Sequence, residues 1–333
     1  MTAHQEPAYR ARQIFQAIYK RGAVSAQQMP ELPKTLREKI AHDFPAPPAE
    51  KIQLQKSHDG TLKLLSKLVD GRLIETVLIP SSDRNTVCVS SQVGCAYDCA
   101  FCASGRAGFE RNLTPGEIVQ QVLMIERELA AVGGRVSNVV FMGMGEPMAN
   151  YDNVLKAVRI LNNPDGLKIG ARKITISTVG LVPMIQRLTG EGLQVELAIS
   201  LHAPNDPLRR RLMPVNAKYP LSQLIPAVRA YIEATGRVVT FEYILIDGVN
   251  DGPKEARELA ALLKGVHAKV NLIPCHPTPC TPWNRPPEER MRVFERILKE
   301  NGVRCTLRKS RGLDIDGACG QLRLRRLQGI QSH

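Results

Sequence analysis

From about residue 86 onward, strand-like runs alternate with amphipathic helical runs, and this alternation constrains the chain more than any other feature. The strand-like runs are NVVFM (138–142), KITIST (173–178), VELAISL (195–201), VVTFEYILI (238–246) and KVNLIP (269–274). Helical segments lie between them. One opens at Thr114-Pro115-Gly116-Glu117, a capping-box pattern with Pro at the first helical position. A second follows Asp251 through EARELAALLKG to Gly265, and a third is PPEERMRVFERILKENG. Strands that alternate with helices form a parallel sheet with crossover connections. Counting TVCVSS as the first, at least six strands over roughly 220 residues fit an α/β barrel, complete or partial, better than a small open sheet. In such a barrel the chemistry sits at the C-terminal ends of the strands.

The region before residue 86 follows a different pattern. Residues 8–43 predict helices, with Ile14, Phe15, Ile18 and Tyr19 on one face. FPAPPAEK (44–51) reads as a linker. KIQLQKS, TLKLLSKLVD and RLIETVLIP then read as strands joined by hairpin turns at HDG and DG. The first residues lack the apolar stretch of a signal peptide, and no run reaches the roughly 18 apolar residues of a membrane span. The expectation is a cytoplasmic protein with no membrane association, in which eight cysteines are ligands, catalytic thiols or core residues rather than a disulfide framework.

Lysine and arginine exceed aspartate and glutamate by 13. Such an excess predicts a polyanionic partner, nucleic acid first. The basic residues cluster at Arg304, Arg308, Lys309, Arg311, Arg323, Arg325 and Arg326, in LRRR (208–211), and in the first helix at Arg10, Arg12, Lys20 and Arg21.

Cys95-Ala-Tyr-Asp-Cys99-Ala-Phe-Cys102 places three thiols within eight residues, directly after TVCVSSQVG. One loop can aim all three at a single metal centre. Structural zinc wants a fourth protein ligand, and no second C-x2-C or H-x3-H follows. An iron–sulfur cluster held by three thiolates leaves one iron open to a ligand. CHPTPC (275–280) is proline-dense and reads as a rigid loop rather than a second metal site.

C-x3-C-x2-C with Phe101 before the last cysteine resembles the radical S-adenosylmethionine (radical SAM) signature. Gly143-Met-Gly145-Glu146-Pro147, after the strand NVVFM, stands where that superfamily has its glycine-glutamate loop. CVSSQVGC, GFERNLTPGEIVQQV, MGMGEP, STVGLVP, ISLHAPND, LMPVN and DIDGACGQL narrow the resemblance to the RlmN/Cfr family of radical SAM RNA methyltransferases, from about Tyr9 to Leu322.

The resemblance implies a partial (β/α)6 radical SAM barrel over 86–315. An N-terminal helical accessory domain that binds RNA would occupy 1–45, a small β extension and linker 46–85, and a C-terminal loop and tail 316–333. It implies a [4Fe-4S] cluster on Cys95, Cys99 and Cys102. It also implies two SAM molecules per turnover, contacted by Gly145, Glu146, Ser177, Ser200, Leu201 and His202. His276 stands where the family usually has a SAM-contacting asparagine, and Gly317 where it commonly has alanine.

The implied activity is methylation of adenosine C2 in 23S rRNA at the peptidyl-transferase centre, with tRNA next to the anticodon as a second substrate. Adenine C2 is electron-poor, so polar transfer from the SAM electrophile does not reach it and a radical route with a methyl carrier is required. The resemblance makes Cys319 the carrier, methylated by one SAM and activated by a deoxyadenosyl radical from another. Cys88 would resolve the protein–RNA adduct by forming a disulfide with Cys319, and Glu75 would take the adenine proton. On neighbours alone, Val87-Cys88-Val89 reads as a core strand and Glu75 as an exposed strand glutamate. A flavodoxin or ferredoxin would supply electrons, and the protein would act as a monomer. C8 methylation of the same RNA, a zinc-stabilised RNA-binding protein without catalysis, and a radical SAM enzyme for a small molecule are the competing readings.

Overall fold

The computed structural model of the chain describes residues 6–44, 49–106, 108–276, 282–309, 311–312, 314–315 and 321–327. Gly317, Cys319 and Cys280 lie outside them.

Helices α1 (Ala8–Tyr19) and α2 (Lys34–Asp43) close over a small core of their own, made by Ala17, Ala23, Met29, Leu32 and Leu36. They also rest on the main body. Phe15 and Tyr19 sit against Gly166, where an added Cβ would meet their carbons at 3.0 Å. Arg12 pairs with Asp165 at 2.7 Å.

Strands β1 (Ala49–Lys56), β2 (Leu62–Leu68) and β3 (Leu73–Pro80) form an antiparallel meander with turns at the two predicted positions. β1 begins at Ala49, inside the segment expected to be a linker. β3 continues antiparallel onto β4 (Asn85–Cys88), which starts the parallel part. The parallel strands are β4, β7 (Asn138–Phe141), β8 (Ile174–Thr178), β9 (Glu196–Ser200), β10 (Val239–Leu245), β11 (Ala268–Pro274) and the three-residue β12 (Cys305–Leu307). Among the described residues the result is one ten-stranded sheet in the order β1-β2-β3-β4-β7-β8-β9-β10-β11-β12. β1 and β12 are its edges, so the barrel is partial and open. The β extension is thus continuous with the barrel sheet. Strands β5 (Gln92–Gly94) and β6 (Phe109–Asn112) form a separate two-stranded ribbon that brackets the cysteine loop and the short α3 (Ala103–Arg106). No alternation signal marks this ribbon in the sequence, because its strands are three and four residues long.

Crossover helices α4 (Pro115–Ala130), α5 (Tyr151–Asn162), α6 (Val182–Thr189), α8 (Leu221–Thr235), α9 (Pro253–Leu262) and α10 (Glu288–Glu300) carry the chain between the parallel strands. α4 opens on the expected capping box: Thr114 Oγ1 accepts the Glu117 N–H, and Glu117 accepts the Thr114 N–H at 2.8 Å. One core runs beneath all these helices, including Val139, Ile176, Leu197, Phe241 and Leu272 on successive strands. Helix α7 (Asp206–Leu212) is short and lies at the strand ends. Among the described residues no helix is long and apolar enough to cross a membrane.

The C-terminal part of the chain returns to the antiparallel strands. The Gly312 N–H donates to Asp59 Oδ2 at 3.0 Å, and the His58 N–H donates to Asp314 Oδ2 at 2.9 Å. Ser57 Oγ also hydrogen-bonds Asp314. Helix α11 (Gln321–Leu327) then packs on β3.

Candidate active site

A cavity of about 230 Å³ opens at the C-terminal ends of β7–β11, where a parallel barrel places its chemistry. Cys95, Cys99 and Cys102 line one end of it. Their loop is held from several sides. The Cys95 N–H donates to Gly108 O, the Ala100 N–H to Leu212 O, and Trp283 Nε1–H to Ala100 O. Gly94 enters the loop at φ +76°, and a Cβ there would strike Gly108 O at 1.7 Å, so only glycine fits. Burial away from water is the main cause that pushes the Cys95 thiol up to about 12 and Cys99 well above its ordinary value, with neighbouring thiols and Glu146 adding to it. Thiols crowded in this way are costly to ionise, and bound iron would offset that cost by taking them as thiolates. Among the described residues no three His, Cys, Asp or Glu side chains converge on the place of a single metal ion. Three thiols that share one cavity wall suit a multi-iron cluster, in which each binds its own iron.

The glycine-glutamate loop follows β7. Gly145 has φ +99°, and a Cβ there would lie 2.5 Å from the Gln92 side chain, so the loop can close on β5 only without one. Glu146 is buried in the cavity wall. Its Oε1 accepts the Met148 N–H at 2.9 Å and its Oε2 accepts the Val179 N–H at 2.8 Å. Burial raises its pKa to about 7 against the pull of these bonds. A ligand ammonium beside it would restore the ionised form.

Ser177 on β8 and Ser200 on β9 both line the cavity. His202 does too, with a left-handed backbone at φ +58°. Its Nδ1 accepts the Ile244 N–H at 3.0 Å, so the proton of the neutral ring sits on Nε2. Burial, with the Arg209 charge second, holds its pKa down to about 3. Phe101 meets the ring edge-on at 4.7 Å. Leu201 is buried and donates its N–H to Glu242 O at 3.0 Å; its side chain does not line the cavity. His276 follows β11, is half-buried, and is also not among the lining residues.

Several polar residues have places that local sequence does not foretell. Glu242 on β10 lines the cavity with a buried oxygen, Oε2, that has no hydrogen-bond partner among the described residues. Its one signal is a charged residue inside the apolar run VVTFEYILI. Arg209, expected within the RNA-facing LRRR cluster, is 0 % exposed. Its guanidinium donates to Leu201 O, Val179 O, Ser200 O, Asn216 Oδ1 and Tyr219 O, and so ties together the loops after β8 and β9. Of that cluster only Arg210 and Arg211 are exposed.

Glu75 is likewise not exposed: it is 3 % accessible and pairs with Lys63, 0 % accessible, at 2.8 Å. The register sets Lys63 opposite Val77 and Val77 opposite Cys88, so Lys63, Glu75 and Cys88 share one face of the sheet. Glu75 Oε1 accepts the N–H of Arg323 at 2.7 Å, which seats α11 on β3. Arg323, expected among the RNA-facing residues, is buried and pairs with Glu110. Arg304, Arg308, Lys309, Arg311 and Arg326 are exposed. In α1 and the loop after it, Arg12 pairs with Asp165, Arg21 with Glu31, and Arg10 binds Glu31 O, whereas Lys20 is exposed.

Residues 89–260 match the radical SAM superfamily, and residues 1–44 match the ribosomal RNA large subunit methyltransferase N-terminal domain. A protein of Symbiobacterium thermophilum named as a probable dual-specificity RNA methyltransferase RlmN is 53% identical over 324 residues, 96% of this chain and 86% of the relative. One of the same name from Geobacillus kaustophilus is 48% identical over 97% of this chain and 88% of its own length. The crystal structure of a radical SAM methyltransferase from Sphaerobacter thermophilus superposes with a TM-score of 0.94 at 52% identity, covering 96% of this chain and 94% of that one. A radical SAM enzyme carries a [4Fe-4S] cluster and SAM, and the three thiols, the Glu146 and Glu242 carboxylates and the two serine hydroxyls that line the cavity fit both groups. The chain belongs to the RlmN family of radical SAM RNA methyltransferases.

Proposed function

We propose that the protein methylates C2 of an adenosine in 23S rRNA at the peptidyl-transferase centre, and of tRNA next to the anticodon, in the cytoplasm. The observation that carries this reading is the shared sheet face of Glu75 and Cys88, onto which the chain just beyond Cys319 is bound through the Arg323 N–H. When bound, the cluster and SAM supply a reducing electron, a methyl group and the radical that activates it.

The residues of the chain then have distinct tasks. Cys95, Cys99 and Cys102 hold the cluster. Glu146, Gly145, Ser177, Ser200 and His202 line the space for SAM. Cys319 carries the methyl group to the base, Glu75 takes the proton from adenine, and the Cys88 thiolate attacks the Cys319 sulfur. Once the adduct has lost that proton and its odd electron, which would return to the cluster, the attack makes an S–S bond and breaks the bond from sulfur to the RNA-bound carbon, and that carbon keeps the electron pair and takes up a proton to become the methyl group. An external dithiol reduces the disulfide for the next turnover. The segments at 1–45 and the exposed basic residues near Lys309 contact RNA phosphates, and a flavodoxin or ferredoxin delivers electrons to the monomer.

The two cysteines separate the steps, and this supplies the test. With RNA, SAM and reductant, Cys319→Ala should never attach to RNA. Cys88→Ala should accumulate as a covalent protein–RNA species on a denaturing gel. If Cys88→Ala runs only at the free-protein position while the wild type turns over, the task given to Cys88 is wrong.

A further inference from the structure

Arg209 is a buried cation whose hydrogen bonds are complete and whose charge is not met. It is 0 % exposed. Nε donates to Leu201 O at 3.2 Å, Nη1 to Asn216 Oδ1 at 2.9 Å and Tyr219 O at 3.4 Å, and Nη2 to Val179 O at 2.7 Å and Ser200 O at 3.2 Å. All five N–H donors of the guanidinium are thereby used, and every acceptor is uncharged. Among the described residues no carboxylate hydrogen-bonds it. A charged side chain kept from water is normally paired, because its burial is otherwise costly. Burial holds the Arg209 pKa down to about 10, so the group is still a cation at neutral pH.

The missing anion has an evident place. Arg209 lies on α7, and Leu212, one turn along, accepts the Ala100 N–H at 2.9 Å in the middle of the cysteine loop. Val179 and Ser200, whose carbonyls hold Nη2, line the same cavity as Cys95, Cys99 and Cys102, and so does Met213, which follows α7. The guanidinium therefore stands behind the cavity wall, beside the cysteine loop. The negative charge that acts on it most is that of a Cys99 thiolate, with Asp206 second. An iron–sulfur core bound by three thiolates is a net anion, and one-electron reduction makes it more negative. We propose that Arg209 is a positioning residue that serves as the buried counter-charge of the cluster and raises its reduction potential. The electron comes from the flavodoxin or ferredoxin and is taken up by the cluster. No proton moves, because the guanidinium stays charged in both states. Its five hydrogen bonds pin that charge between the loops after β8 and β9. The inference rests on the assignment of the cluster to the three thiols.

The test reads a potential, not turnover. Protein reconstituted anaerobically without SAM is poised at a series of potentials, and the reduced cluster is quantified by electron paramagnetic resonance. In Arg209→Gln the ratio of reduced to oxidised cluster, at the potential where wild type is half reduced, should fall about tenfold or more, a midpoint lower by about 59 mV or more. Arg209→Lys keeps the charge but not the five-donor fork, and its ratio should stay within about threefold of wild type. Asp206 lies on the far side of Asn216, whose Nδ2–H donates to Asp206 Oδ1 at 2.9 Å. Asp206→Asn keeps an oxygen for that bond and removes a negative charge, so its midpoint should move up. An unchanged midpoint in Arg209→Gln, or equal shifts in Arg209→Gln and Arg209→Lys, overturns the inference and makes Arg209 a structural tie only. If neither Arg209 variant holds its cluster, Asp206→Asn decides, and a midpoint that stays or falls overturns the inference. Wild type that assembles no cluster overturns the assignment of the thiols and the inference with it.

Discussion

Lys63 and Glu75 are both buried and lie 2.8 Å apart, so removing one partner should be far more damaging than at the surface. In Lys63→Met the apolar stem is kept and only the ammonium is lost. The Glu75 carboxylate then remains in a site with almost no water. Breaking a buried pair from one side typically costs about 3–5 kcal/mol, against about 0–1 kcal/mol for an exposed pair. Neutralising the other side should return much of that loss. Glu75→Gln in the Lys63→Met background removes the stranded charge but keeps an oxygen for the Arg323 N–H, which anchors α11. Equilibrium urea unfolding of the cluster-free protein gives the three free energies. The expected pattern is a loss of at least about 3 kcal/mol for Lys63→Met and recovery of about 2 kcal/mol or more in the double variant. A loss below about 1 kcal/mol, or strictly additive effects, would refute the claim that this pair is dry and coupled.

Two buried groups in the cavity should titrate in opposite senses. Burial holds His202 at about 3 instead of 6.5, so below pH 6.5 only the unfolded chain binds the proton and stability falls with acid, by about 2 kcal/mol at pH 5. Burial raises Glu146 from 4.5 to about 7, so between those values only the native carboxyl is protonated and stability rises as pH falls, by about 2 kcal/mol over the same interval. Thermal melts of the cluster-free protein from pH 7.5 to 5 should therefore worsen with acid in Glu146→Gln and improve in His202→Gln; parallel curves for both variants and wild type would contradict these assignments. RNA binding should weaken steeply with salt, and Lys309→Glu with Arg311→Glu should lower the log–log slope by about 0.7–0.9 for each phosphate that is no longer neutralised. An unchanged slope and affinity would make these residues a solvated face.

The parts of the molecule that are legible in the sequence are those that local pattern determines. The strand–helix alternation marks the parallel sheet, Thr114 and Glu117 mark the start of α4, and the spacing of Cys95, Cys99 and Cys102 puts three thiols on one cavity wall. What escapes a sequence reading depends on partners far away in the chain. Arg209 looks like its exposed neighbours Arg210 and Arg211, because nothing local says that five acceptors from other loops await it. Glu75 looks like a surface strand residue until β2 brings Lys63 across and α11 binds it through the Arg323 N–H. The ribbon of β5 and β6 is too short to show a period, although it carries the cysteine loop. Cys319, on which the methyl-carrier role rests, lies outside the described residues, and the structure instead shows both flanks of its segment bound to the antiparallel strands, at Asp59 and at Glu75.

The identity of the methylated nucleoside bears most directly on the proposed activity. Purified protein with its cluster, SAM and a reductant is incubated with unmodified 23S rRNA and tRNA, and the digested RNA is separated by liquid chromatography and mass spectrometry. The expected product is 2-methyladenosine in the rRNA and in the tRNA, absent with Cys319→Ala. The appearance of 8-methyladenosine in its place, or of no methylated adenosine while SAM is cleaved, would contradict the C2 assignment, and 2-methyladenosine made by Cys319→Ala would contradict the methyl-carrier role.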